Sequence, residues 1–388
     1  MIPMEDYLNH LIELAKKIQQ VPAPTFSESS RANLMRQLFI EENLVNVEID
    51  NTGNVYSRLP SGPKNAETTS RLPSAPLVLT AHLDTVFPAD TDLHLDNQPE
   101  RLIAPGIGDN SIGLAGLIGL VRMLRARNAS LSGDLWLVAN TCEEGLGNLA
   151  GMTTVVERFK NIPLAYIVLE GMGLGEIFHR GLAVKRYRVT VKTAGGHSWI
   201  DYGRPSAIHE MARLIDAFIS LTLPVNPRST LNVGTVSGGT SINTIASRAN
   251  LELDLRSEEF SYLQNLASQV EDLVLEGNRD GVEVVAELIG QRPAGSILAN
   301  HWLVSLAERC LMQQGIIPHP GIGSTDANLP LSRGLPAICI GLTTGGGAHT
   351  LEEFANLQPL TQGMEQLYML VSHAWSSSPA TMSVLPSE

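Results

Sequence analysis

The sequence predicts an α/β domain with a mainly parallel, mixed sheet, interrupted by a smaller α+β domain. Three observations predict it. Short apolar runs alternate with helical periodicity up to about residue 180, the pattern changes character there, and the first pattern resumes after Gln291-Arg-Pro293. Nearly continuous apolar strands separated by helices indicate a sheet covered on both faces.

Taken in order, Tyr7, Leu11, Leu14 and Ile18 recur at helical spacing, and Val21-Pro-Ala-Pro24 stops that helix. Leu34, Leu38 and Phe39 mark a second helix before a strand at 45–49. Residues 60–76, rich in Pro, Ser and Thr, predict a long mobile loop between two strand-like runs. Apolar runs at 77–81, 135–139 and 165–169 predict buried strands, with helices at 114–127 and 149–159 between them. Residues 183–192 (AVKRYRVTVK) alternate instead, as a half-exposed strand does. A helix at 206–221, strands at 231–236 and 250–255, a helix at 262–276 and a strand at 282–288 follow. That β-α-β-β-α-β order is the split βαβ sandwich. A helix at 298–314 and a strand at 336–340 then return to the first domain. The predicted boundaries are 1–180 and 292–375 for the main domain and 181–291 for the insertion. Residues 376–388 read as a frayed tail.

Composition narrows the function. Forty acidic against 27 basic residues give a net charge of −13, which argues against non-specific nucleic-acid binding. With 43% hydrophobic and 17% charged residues the chain is not too polar to fold. Uninterrupted apolar stretches fall short of the roughly 18 residues of a membrane span. Cys142, Cys310 and Cys339 are too scattered for a disulfide scaffold or a Cys-only zinc site. Met1-Ile-Pro-Met-Glu-Asp6 lacks the basic and apolar segments of a signal peptide. The expectation is a soluble cytoplasmic protein.

Acidic and histidine residues collect where the predicted strands end. His82 and Asp84 follow the first buried run, Glu143 and Glu144 the second, and Glu170 closes the third. His349 follows the last strand through a glycine-rich loop, and Asp109 lies in a Gly-rich turn before a helix. Open α/β sheets bind ligands beyond the carboxyl ends of their strands, so these residues can converge. Two imidazoles with several carboxylates and no thiolate suit zinc or a similar ion. Three ligands per ion, one carboxylate being shared, leave room for a water between two ions about 3.5–4 Å apart. Asp84, two residues after His82, points to the same side of extended chain and can orient the imidazole. Of the adjacent Glu143 and Glu144, one can bind metal while the other faces the water as a base. Cys142 reads as a buried structural thiol, since no triad accompanies it. Gly345-Gly-Gly347 lacks the Lys-Ser/Thr ending of a phosphate loop.

Five motifs, in order, carry a specific resemblance. His82-Leu-Asp84-Thr-Val, Gly106-Ile-Gly-Asp109, Thr-Cys-Glu143-Glu144-Gly, Glu170-Gly and Gly-Gly-Ala-His349 resemble the dinuclear zinc family of glutamate carboxypeptidases, peptidase T and aminoacylases, peptidase family M20. The resemblance runs over residues 5–372. It implies a zinc-exopeptidase catalytic domain with an inserted ferredoxin-like lid and dimerisation domain. It implies two Zn2+ per chain, with Co2+ or Mn2+ as substitutes. His82 and Glu170 would bind one ion, His349 and Glu144 the other, and Asp109 both. Glu143 would be the general base, and Asp84 would support His82. Gly195-Gly-His197-Ser resembles a lid turn whose histidine reaches the active site of a partner subunit and stabilises the oxyanion. Asn243 matches a substrate contact. Arg256 and Arg292 match basic lid residues, Arg292 being the better placed to fork a substrate carboxylate. Gly323-Ser-Thr-Asp326 matches a loop facing the substrate terminus. Three positions depart from or vary within the family pattern: Asn110 where many relatives have Asp, Ala246 where many have Pro, and Glu170 where Asp also occurs. The implied activity is exopeptidase cleavage of small peptides by a homodimer, with no nucleic-acid or membrane partner. Hydrolysis of N-acyl or N-carbamoyl amino acids is the alternative within enzymes. A catalytically silent binding or scaffold protein of the same fold is the alternative outside them.

Overall fold

The computed structural model describes residues 4–62 and 74–379. Most of the predicted 60–76 loop, at 63–73, and most of the predicted tail, at 380–388, lie outside the described residues. The chain divides into two compact units, Met1–Gly181 with Gly295–Glu388, and Leu182–Ala294.

In the first unit four parallel strands lie side by side in the order Gly133–Asn140, Ser74–His82, Ala165–Glu170 and Ala337–Gly341. Val55–Leu59 and Val45–Ile49 extend one edge in antiparallel fashion. At the other edge Glu176–Gly181 runs antiparallel to Ala337–Gly341 and parallel to His319–Gly323. Alternate side chains of each central strand enter opposite cores. Leu77, Leu79, Leu135, Leu137, Ile167 and Leu169 pack with the helices Met4–Gln19, Ser29–Glu41, Ile112–Ala126, Trp302–Gln313 and Leu360–Ser377. Val78, Val138, Tyr166, Val168 and Cys339 pack on the other face with Ala150–Phe159 and Asn328–Ser332. Burial on both faces is why these strands read as unbroken apolar runs.

The 20-residue run Ile107–Ala126 contains an 18-residue window of mean hydropathy 1.3, which has the length and apolarity of a membrane span. Its most apolar window is 89% buried inside the fold, so it is the central core helix with its leading turn. Counting uninterrupted apolar residues misses it, because Asp109, Arg122 and Arg125 interrupt the run. The strands Glu176–Gly181 and His319–Gly323 and the closing helix Leu360–Ser377 also lie outside the elements that the sequence predicts. That helix includes residues 376 and 377, assigned above to the tail. A small antiparallel sheet joins Asp96–Asn97, Arg101–Ile103, Phe354–Asn356 and Gly345–Gly346. It lays the loop that carries His349 beside the chain leading into Asp109.

The second unit has an antiparallel sheet in the order Ser229–Gly238, Arg248–Ser257, Ala183–Thr193 and Val282–Arg292. Helices Ala207–Ile219 and Phe260–Glu276 pack on the face formed by Tyr187, Val189, Val191, Leu251, Leu253 and Leu255. The opposite face carries solvated cross-strand ion pairs such as Arg188–Glu252 and Lys192–Glu283, which water screens. The β-α-β-β-α-β order is the one predicted. A separate ladder pairs Gly196–His197 with Thr244–Ile245.

Candidate active site

His82 is the last residue of its strand and is 1% exposed. Its Nδ1 lies 3.0 Å from the Asp84 carbonyl and 3.6 Å from Asp84 Oδ1. Its Nε2 lies 2.9 Å from Asp109 Oδ1 and 3.5 Å from Glu170 Oε2. The other Asp109 oxygen, Oδ2, lies 3.3 Å from His349 Nε2, which is itself 3.2 Å from Glu144 Oε1. The first unit thus brings together all five residues predicted as metal ligands. They form two triads that share Asp109: His82, Asp109 and Glu170, and Asp109, Glu144 and His349, with ligand atoms within 4.8 Å of one another. Glu143 lies close enough to group with His82 and Glu144 in the same way.

Asp84 is fully buried and acts as a brace. Its Oδ1 and Oδ2 accept the backbone N–H groups of Glu143 and Glu144, each at 2.9 Å, and Thr25 Oγ1 donates to Oδ2 at 2.9 Å. Asp84 therefore meets His82 through its backbone carbonyl, while its carboxylate holds the backbone of the diverging Glu143-Glu144 pair. Burial raises the Asp84 carboxyl, but His82 and those backbone donors outweigh it and leave its pKa lowered.

Asn110, the family departure, points away from the ligand cluster. Its Nδ2 donates to the Leu169 carbonyl at 2.8 Å, tying the Asp109 turn to the end of the strand that carries Glu170. The chain packs so tightly here that a Cβ at Gly113 would lie 2.0 Å from Asn110 Oδ1. A Cβ at Gly171 would lie 2.1 Å from the Gly108 carbonyl.

The donor set fits a pair of divalent cations. Asp109, Glu144 and Glu170 have no Lys or Arg partner among the described residues; the histidines are their only ion-pair partners. An ion held at about 2.0–2.2 Å in tetrahedral geometry separates its ligands by roughly 3.3–3.6 Å, close to the spacings found here. Hydrogen bonds to Asp109 and Glu144 raise the His349 imidazole to about 10. Burial disfavours a charged His82, yet Glu170, Asp109 and Asp84 together push its pKa well above the ordinary value. Burial lifts Glu170 to about 7, helped by the charges of Asp109 and Asp326. Burial also acts on Asp109, but the two histidines hold it below the usual carboxylate range. The site is an excess of carboxylates that attracts positive charge, whether protons or metal ions.

Glu353 escaped the sequence reading, and Asp326 entered it only as the end of the Gly323-Ser-Thr-Asp326 loop. Glu353, fully buried, accepts the backbone N–H groups of Gly108, Asp109 and Gly106 at 2.7, 2.8 and 3.2 Å. Asp326, also buried, accepts from Asn140 Nδ2 at 2.7 Å beside the strand ends. Cys142 is buried against Glu28, and burial pushes its thiol up to about 12, which is unfit for a nucleophile at neutral pH.

The predicted residues of the second unit form two groups. His197 is exposed, and its Nδ1 accepts the N–H groups of Trp199 and Ile200 at 3.2 and 3.4 Å. The neutral ring then carries its proton on Nε2 and presents a donor. Asn243 is adjacent, its carbonyl accepting the Ser198 N–H at 3.0 Å. Arg256 and Arg292 both pair in register with Val184 and so share one row of the sheet. Arg256 Nε and Nη2 donate to Asp254 Oδ2 at 3.0 and 2.8 Å, so its fork is already engaged, while Arg292 is 6% exposed. Val184 lies nine residues (193 − 184) along its strand from Thr193, which adjoins the His197 turn. That spacing is about 30 Å at about 3.3 Å per residue.

The model of peptidase family M20/M25/M40 matches residues 78–373. Among solved structures, a tripeptidase from Staphylococcus aureus shares the fold with a TM-score of 0.79 at 20% identity, over 95% of this chain and 98% of that one. An amidase of the hydantoinase/carbamoylase family from Burkholderia vietnamiensis gives a TM-score of 0.71 at 15% identity, over 96% and 97%. A dinuclear metal binding peptidase from Bacillus subtilis gives 0.66 at 16% identity, over 96% and 99%. No curated protein matches the sequence significantly.

Proposed function

The chain belongs to peptidase family M20/M25/M40, and on that premise we propose that it is a zinc-dependent exopeptidase cleaving an amide bond of small peptides. The observation that carries the proposal is Asp109, whose two oxygens each face a histidine backed by its own glutamate. We assign one cation to His82, Asp109 and Glu170, and the other to Asp109, Glu144 and His349. When bound, such a pair polarises a carbonyl and lowers the pKa of a water between them. Glu143 takes the proton of the attacking water and returns it to the leaving amine. Its backbone is held by Asp84, so the carboxylate starts from a braced position. Asp84 also keeps the His82 ring in place.

We assign His197 to oxyanion stabilisation and Asn243 and Arg292 to substrate contact. Of the two arginines in that row we assign the substrate carboxylate to Arg292, where a guanidinium can offer a bidentate fork. A small peptide is much shorter than the roughly 30 Å of strand that separates the arginine row from the His197 turn. If His197 and Arg292 act on one substrate, they come from different copies of the chain. This argument, together with the 85%, 78% and 91% exposure of Trp199, Ile200 and Tyr202 beside His197, supports a homodimer formed through the inserted unit. Three buried free thiols suit a reducing cytoplasm.

N-acyl or N-carbamoyl amino acids are the second reading, supported by the fold shared with the amidase. A panel of dipeptides, tripeptides, N-acetyl and N-carbamoyl amino acids, assayed before and after chelation, separates the two. The expected outcome is hydrolysis of a peptide that chelation abolishes and zinc restores, with cobalt or manganese as partial substitutes. Chelation-indifferent hydrolysis contradicts the metal-dependent mechanism. A protein that takes up no metal and turns over nothing on the panel, even after zinc or cobalt is added, favours the silent-scaffold reading.

A further inference from the structure

We propose that Glu353 is a positioning residue that holds Asp109 and His349 at the spacing a pair of cations needs. The inference rests on the two-metal reading above and assigns a role to a residue that touches neither ion in that reading. Glu353 is fully buried, and among the described residues no Lys or Arg pairs with it. A buried carboxylate is costly unless its oxygens are satisfied. Here the satisfaction comes from three backbone N–H groups of the turn that presents Asp109. Oε1 accepts from Gly108 at 2.7 Å and Asp109 at 2.8 Å, and Oε2 accepts from Gly106 at 3.2 Å. Such a cluster of backbone donors is the arrangement that binds anions, occupied in this case by a side chain of the same protein.

Asp109 and Asn110 depart from helical geometry, at φ −116°, ψ 86° and φ −136°, ψ 38°, and the N–H groups of Gly108 and Asp109 are taken up by Glu353. The main chain around Glu353 adds to the connection. Its carbonyl accepts the Ala104 N–H at 2.9 Å, its N–H donates to the Thr350 carbonyl at 3.2 Å, and Phe354 pairs with Ile103. His349 lies only four residues before Glu353 in this loop (353 − 349) and has a positive φ of 67°. Glu353 therefore joins the loop bearing His349 to the turn bearing Asp109, although 240 residues separate those two ligands (349 − 109). The cation of His82, Asp109 and Glu170 depends on this brace through Asp109 alone. The cation of Asp109, Glu144 and His349 depends on it through two ligands, so it should suffer more.

The test is a calorimetric zinc titration of the chelated full-length protein, wild type against Glu353→Gln, with near-ultraviolet circular dichroism as the check on packing. The amide keeps one acceptor oxygen and turns an NH2 group toward a backbone N–H, so the brace is weakened without a change of size. The expected result is a packed protein that binds its first zinc nearly as the wild type does and its second about 10–100-fold more weakly. Ions retained after desalting should fall from two to one. Glu353→Asp keeps the charge but is one methylene too short, and it should show the same preferential loss; it carries the test if the Gln variant does not pack. A variant that packs and binds both ions as tightly as the wild type overturns the positioning role and leaves the two-metal reading standing. A wild-type chain that never binds two ions sinks the two-metal reading itself, and this inference with it.

Discussion

The ligand cluster of the first unit and the His197 turn of the second are built on opposite plans. In the first, residues from 82 to 349 meet, and four of them are held by buried acids: Asp84 meets His82, Glu143 and Glu144, and Glu353 accepts from Asp109. In the second, His197 is exposed, and its ring bonds only to the nearby Trp199 and Ile200 N–H groups, although its backbone pairs with Thr244. The difference teaches where preorganisation is needed. Ions require ligands held to fractions of an ångström before they arrive, so the cluster is cross-braced. On our proposal His197 acts on a substrate held by another copy, so its site would be completed by assembly.

The comparison breaks most sharply at Glu143. Glu143→Gln should lower kcat by about 10²–10⁴ while both metals stay bound, because the base is lost and the ligands are not. Metal content measured beside turnover checks this; near-normal turnover removes the assigned role. His197→Ala should cost about 10²–10³ in kcat with metal affinity unchanged, as the loss of one oxyanion donor does. Mixing that variant with Glu143→Gln sharpens the contrast between units. If His197 serves a second copy, heterodimers regain activity at one of their two sites, and silence after proven subunit exchange argues that it serves its own.

Much of the first unit was legible because its central strands are buried on both faces and show as apolar runs. The residues of the proposed metal site were legible for a related reason: His82, Glu144 and Glu170 end or follow those runs, where an open sheet binds ligands. The strand His319–Gly323 was not, since HPGIG contains a proline and two glycines and is a strand only through its partner Glu176–Gly181. The closing helix was readable from Leu360, Met364, Leu367, Leu370 and Ala374, although Gly363 and its serine-rich end weaken the pattern. Glu353 carried almost no signal. In Leu351-Glu-Glu-Phe354 it looks like any surface acid, and its role comes from donors about 245 residues earlier in the chain. Arg256 shows the opposite limit: its type suits a substrate anchor, but its neighbour Asp254 holds the fork.

The central claim is that this carboxylate excess holds two cations shared by Asp109. The most direct test is zinc titration of the chelated wild-type protein at pH 7, in buffers of different ionisation enthalpy, so that ions and protons are counted together. Below about pH 10 the carboxylates keep His349 protonated in the absence of metal, and His82 is likewise held charged. Each must lose its proton to become a ligand. The account expects two zinc ions per chain, release of about two to three protons, from the two imidazoles and part of Glu170, and affinity that strengthens as pH rises from 6 toward 9. One ion or none per chain, or binding without proton release, would contradict it.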